Sequence, residues 1–128
     1  MKYLIIDKRQ RVKGMEIPTA SLRILEELKK KDIPADFVYN DEIEILFTNS
    51  STQIKAKGVD VKEYTHIIFR GHALHNDREY ALKRYIIDYI EQHNANTPEK
   101  KVLIQNSKAI KKLPYYNKIA ISFLCSQY

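Results

Sequence analysis

Three short strand-forming runs constrain this chain more than any other feature. They are YLII at Tyr3–Ile6, HIIF at His66–Phe69 and VLI at Val102–Ile104. Each is too short for a helix, does not alternate, and stops at a polar residue: Asp7, Arg70 and Gln105. Runs of that kind suit parallel strands buried on both faces. Parallel strands need long crossovers, and the intervening segments supply them. Pro18 opens a helix, where its missing N–H costs nothing. Leu22, Ile24, Leu25 and Leu28 form its apolar stripe, and Lys29, Lys30 and Lys31 complement the dipole of its last turn.

A second helix follows HIIF. Asn76 and Glu79 read as its capping box, and Leu82, Tyr85, Ile86, Tyr89 and Ile90 recur at a 3.6-residue period on its expected buried face. Between the two helices lie ADFVY at Ala35–Tyr39, a strand, and then EIEILF and QIKAK around Asn49–Ser51, a hairpin. The predicted order is strand, helix, strand, hairpin, strand, helix, strand, helix. The expected fold class is therefore α/β: an open, mainly parallel sheet flanked by helices, with a β-hairpin insertion.

The 128 residues correspond in size to one domain. Twenty-two basic against 16 acidic side chains leave +6, which allows an anionic partner. The lysines are spread along the chain, as solubility alone would have them. The single cysteine, Cys125, excludes an internal disulfide framework, and no apolar run approaches the ~20 residues of a membrane span. A soluble, cytoplasmic setting without a membrane partner is the expectation.

In an open sheet, ligands collect at the carboxyl ends of the strands. The loops after Asp7, Arg70 and Gln105 therefore carry the candidate chemistry. No dinucleotide or P-loop glycine pattern is present. Asp7 is the one strand-end carboxylate, too few for a phosphate-receiving signalling domain. Arg70, beside a helix start, can hold a carboxylate or phosphate, or equally form a structural ion pair. His72 and His75 form an H-x-x-H, but no third ligand is evident and no metal site is assigned.

The strand ending in Arg (HIIFRG), the helix behind it, the strand ending in Asn (VLIQNS) and the lysine that opens an apolar segment (YYNKIAISFLCSQY) together resemble a known family. It is the N-terminal pre-ATP-grasp domain of ATP-grasp carboxylate–amine ligases, of the glutathione synthetase and ribosomal-protein glutamate ligase type, whose sheet is Rossmann-like. The resemblance implies that residues 1–112 are the substrate-side domain. Residues 113–128 would be the linker and the start of a helix leading to an ATP-grasp domain. It also implies amide-bond formation through an acylphosphate, with ATP and Mg²⁺ as cofactors of the full-length protein and an amino acid or peptide as substrate. Lys118 matches the lysine that reaches nucleotide phosphate. Arg70, Gly71, His72 and His75 match the substrate-facing edge, and Asn106 the turn between domains. The ATP-grasp half lies outside these 128 residues, so this chain alone is expected to be an inactive fragment. The alternative is a small basic α/β module that binds nucleic acid or a protein. The lack of a dense basic stripe interleaved with aromatics counts against nucleic acid.

Overall fold

A computed structural model describes residues 1–9, 17–70 and 77–112. The chain is mixed α/β. Strands β1 (Tyr3–Asp7), β2 (Ala35–Tyr39), β6 (His66–Phe69) and β7 (Leu103–Ile104) form a parallel sheet in the order β2-β1-β6-β7. Helix α1 (Thr19–Lys30) joins β1 to β2, and α2 (Asp77–Asn96) joins β6 to β7. The predicted hairpin is a three-stranded antiparallel sheet. Its strands are β3 (Ile43–Phe47), β4 (Thr52–Ala56) and β5 (Val59–Asp60). The extra strand arises at Lys57-Gly58, which both take positive φ, of 51° and 75°. Such a two-residue turn folds the chain straight back on itself, and glycine occupies its second position without a Cβ penalty.

The parity of β1 sorts the layers. Leu4 and Ile6 point to one face, where they join Val38, Ile67, Ile86, Ile90 and Val102 in the core, with Ile54, Ala56 and Val61 from the antiparallel sheet and its exit. Asp7 has the opposite parity, and its carboxylate meets Ser21 of α1. The two helices thus cover opposite faces. The fully buried positions of α2 are Lys83, Ile86, Ile87 and Ile90; of the stripe expected from the sequence, Ile86 and Ile90 are in the core and Leu82 and Tyr89 pack against it. Tyr85, expected in the core, is 59% exposed. Leu22 of α1 is likewise exposed, and Leu28 anchors that helix. The short α3 (Ser107–Lys112) is tied to α2 by the Lys111–Glu91 ion pair and by Arg84, which donates to the Lys111 carbonyl.

Two side-chain triads of the same composition secure the remaining elements. Tyr64 donates from its hydroxyl to Asp36 Oδ2 at 2.6 Å, Lys2 Nζ lies 3.6 Å from the same oxygen, and that ammonium sits 4.9 Å above the Tyr64 ring. Tyr89 donates to Asp60 Oδ2 at 2.8 Å, Lys62 Nζ lies 3.8 Å from it, and the ammonium sits 5.1 Å above the Tyr89 ring. The first triad ties the residues leading into β1 and β6 to β2. The second ties the antiparallel sheet to α2. Each combines a charge-assisted hydrogen bond, an ion pair and a cation–π contact around one carboxylate.

Candidate functional site

From β1 the chain moves outward in both directions, to β2 on one side and to β6 and β7 on the other. A crevice at the carboxyl ends of β1 and β6 is the place where such a sheet accepts a ligand. The register pairs Ile6 with Phe69, and the Arg70 N–H donates to the Ile6 carbonyl at 2.7 Å. Asp7 and Arg70 therefore leave the sheet side by side.

Asp7 is only 4% exposed. Its Oδ1 accepts from the Lys8 N–H at 2.6 Å and its Oδ2 from the Ser21 hydroxyl at 2.5 Å. A carboxylate buried here is stable because both oxygens are engaged. Ser21 is fully buried, one turn into α1, and that placement accounts for a small hydroxyl on an otherwise apolar face.

Lys83 is the unexpected member. It occupies the first position of the buried stripe of α2 and is 5% exposed. Helical side chains lean toward the helix N-terminus, so a lysine there extends toward the mouth of the sheet. Its ammonium lies 5.8 Å from the centre of the Phe69 ring. Burial holds its pKa below the usual lysine value, and the fields of Glu79 and Asp7 partly offset this. Glu79 itself is 3.8 Å from Lys8 Nζ. No carboxylate among the described residues comes within ion-pairing distance of Lys83. Arg70 is exposed at the rim.

The β2 side of the mouth is closed by a different device. Arg9 places its guanidinium 4.2 Å from the Tyr39 ring and bonds Asp41 through two nitrogens, at 2.7 and 3.0 Å, with Glu42 at 3.7 Å. The hydrogen bond from Arg9 holds the Asp41 carboxyl below its usual range. This clamp joins the segment after β1 to the segment after β2 at the surface.

Of the residues singled out from the sequence, Arg70 is at the mouth. Asn106 follows β7 with φ of 60°, and its carbonyl accepts the Ile110 N–H at 3.0 Å. Asparagine tolerates this left-handed conformation better than most residues, so its place in the turn into α3 has a local cause. Gly71, His72, His75 and Lys118 lie outside the described residues, as do the capping residue Asn76 and the whole of 113–128. Lys83 and Ser21 were missed. The available signal was a lysine at i−3 and i−4 to Ile86 and Ile87, a charge inside the apolar stripe once its phase is known.

Two other concavities carry less chemistry. A shallow depression of about 420 Å³ is lined by Leu25, Lys29, Asp32, Ile33, Pro34 and Ala35, at the opposite end of β2 from the mouth. A crevice of about 150 Å³ lies between the antiparallel sheet and α2, beside the exposed Phe47 and Tyr85. Among the described residues no cluster of three or more His, Cys, Asp or Glu is arranged to hold a metal ion, and no helix is long and apolar enough to cross a membrane.

The described residues define an α/β domain with an open parallel sheet and polar, mixed-charge residues at its carboxyl edge. No protein-family model matches the chain, and no curated protein sequence matches it either.

Proposed function

We propose that this chain is the substrate-side, Rossmann-like domain of an ATP-dependent carboxylate–amine ligase, with an amino acid or peptide as substrate. The observation that carries the reading is the strand order, because it brings Asp7 and Arg70 together where the chain reverses direction across the sheet. Further support comes from the HIIFRG and VLIQNS strand ends, which resemble that family. In this reading the domain binds and orients one substrate. Catalysis of amide formation through an acylphosphate depends on positioning and on neutralising phosphate charge. ATP and Mg²⁺ belong to the partner ATP-grasp domain, with Lys118 reaching toward the nucleotide. The described residues include no glycine-rich cradle for phosphate, since the only glycine among them is Gly58, in the β4–β5 turn. What they supply is a fixed carboxylate, a buried lysine and a rim arginine, which can recognise a polar substrate.

The test is expression of this chain together with the coding sequence that follows Tyr128. The expected result is ADP and phosphate release from ATP that requires both a carboxylate and an amine substrate, with a new amide visible by mass spectrometry. A stop codon directly after Tyr128, or ATP turnover indifferent to both substrates, would sink the reading.

A further inference from the structure

The antiparallel sheet ends differently at its two edges. β5 is two residues long, and its Asp60 is tied to Tyr89 and Lys62. β3 is five residues long and pairs only with β4 among the described strands. Exposed edge strands are normally guarded by proline, lysine or a bulge. β3 has none of these. Its sequence is IEILF, its register against β4 is unbroken, and Glu44 is its one charge.

The hairpin closes with the Thr48 N–H donating to the Ser51 carbonyl at 2.8 Å. Hydrogen-bonding direction alternates along an antiparallel strand, so Leu46 turns its backbone groups to β4, and Ile45 and Phe47 turn theirs to the outer edge. The side chains beside that edge are uncovered as well. Phe47 is 72% exposed and Leu46 43%, and as consecutive residues they lie on opposite faces. On the Phe47 face is the crevice of about 150 Å³ between the sheet and α2, lined by Ile45, Ile54 and Tyr85 among others. An apolar cavity of about that size takes one benzene ring. The chain's own Phe47 stands at its rim, mostly in solvent.

An open edge beside a ring-sized crevice fits a strand that carries a phenylalanine, and β3 is itself such a strand. Antiparallel pairing of two β3 strands about Leu46 sets Leu46 against its counterpart on one face. On the other face it sets Ile45 against the partner's Phe47, at the crevice. Glu44 falls opposite Thr48, so no like charges meet. Pairing about Glu44 would oppose two carboxylates. Pairing about Ile45 would put Phe47 beside Ile43, which does not line the crevice. Both copies use the same edge, so the assembly closes at two.

We propose that the chain forms a two-fold symmetric dimer in which the β3 strands pair about Leu46 and each Phe47 enters the crevice of the other copy. The surface lies on the antiparallel sheet and is independent of the ligase reading. It is small, so dimerisation depends on concentration.

The experiment is sedimentation velocity on the 128-residue chain over a wide concentration range, repeated for Phe47→Ser and Leu46→Lys. A monomer–dimer equilibrium is expected. Phe47→Ser is expected to weaken it about 10-fold or more, through loss of a large apolar side chain from each half of the interface. Leu46→Lys is expected to weaken it at least as much, because it sets two ammonium groups against each other. Both side chains are exposed in the single chain, so the Tm of the monomer should change little. The register is read by mild oxidation in a Cys125→Ser background. Leu46→Cys is expected to give a disulfide-linked dimer, because directly opposed residues of a non-hydrogen-bonded pair lie within disulfide reach. Glu44→Cys, opposite Thr48 of the other copy, is expected to give none. A monomer at every concentration, which would leave the edge to a different partner, overturns the proposal. So does growth beyond the dimer, a dimer that either substitution leaves intact, or equal cross-linking of the two cysteine variants.

Discussion

The tyrosine triads and the β1–β6 mouth use the same materials to opposite effect. Both group a carboxylate with a hydroxyl and a lysine. In the triads, Lys2 and Lys62 stay partly exposed, lie on the tyrosine ring and reach the same carboxylate oxygen as the tyrosine hydroxyl. At the mouth, Asp7 is satisfied from its own neighbourhood, and Lys83 is buried close by without joining it. The triads are closed, whereas Lys83 makes no ion pair with a described residue. Closed groups hold elements together.

That contrast makes predictions of opposite sign. The largest loss is expected from Tyr64→Phe. Tyr64 is 1% exposed and its hydroxyl bonds a charged acceptor, so removing the oxygen should cost about 2 kcal/mol in urea unfolding. A cost near zero would mean that the first triad is not closed. Tyr89→Phe should cost less, about 1 kcal/mol, because Asp60 keeps the Lys62 N–H at 2.9 Å and Gln53 at 3.3 Å. Lys83→Met should go the other way, stabilising by about 1 kcal/mol at neutral pH, as replacement of poorly compensated buried charge can.

Alkaline pH separates the two regions again. Burial, then the hydrogen bonds to Asp36 and Asp60, push the Tyr64 and Tyr89 hydroxyls above the ordinary tyrosine value. Their raised folded values mean that their contribution is whole below about pH 10 and is lost as pH rises further. Lys83 is shifted downward by burial, so the fold disfavours its charged form. The cost of that charge is full below its folded value and disappears as pH approaches about 10.5, where the unfolded lysine also loses its proton. The stability advantage of Lys83→Met should therefore shrink as pH rises, while the deficit of Tyr64→Phe shrinks only above about pH 10. Guanidinium-free urea titrations from pH 7 to 11 would show both. The smallest effect is expected at the surface clamp. Arg9→Ala should lower Tm slightly at low salt and leave it unchanged at high salt, because exposed ion pairs are screened.

The strands and helices were legible because each rests on local pattern. Tyr3–Asp7, Ala35–Tyr39 and His66–Phe69 are strands where short apolar runs predicted them, and α1 begins directly after Pro18. The inward face of α2 was legible except at Tyr85, which is exposed, and at Lys83, which is buried. Tyr85 and Tyr89 share a period with Leu82 and Ile86, and a lysine is normally assigned to solvent, so the pattern selected a stripe that leaves Tyr85 exposed. The true stripe depends on which side of α2 the Leu4–Ile6 face of the sheet and the antiparallel sheet meet. Arg70 was identified correctly at a strand end, since that needs only the end of an apolar run. Lys83 was invisible because a lysine is normally assigned to solvent, whatever its place on the helix.

The amino-acid sequence determined the α/β class, the positions of most elements and the strand ends where chemistry collects, because strand runs, caps and turns act over a few residues. Only the tertiary structure decided three further things. It chose the order β2-β1-β6-β7, which makes Asp7 and Arg70 neighbours although 63 positions separate them. It built two triads, one from Lys2, Asp36 and Tyr64 and the other from Asp60, Lys62 and Tyr89. And it turned Lys83 inward. Those outcomes depend on which faces meet when the layers close, and no local stretch of the chain carries that information.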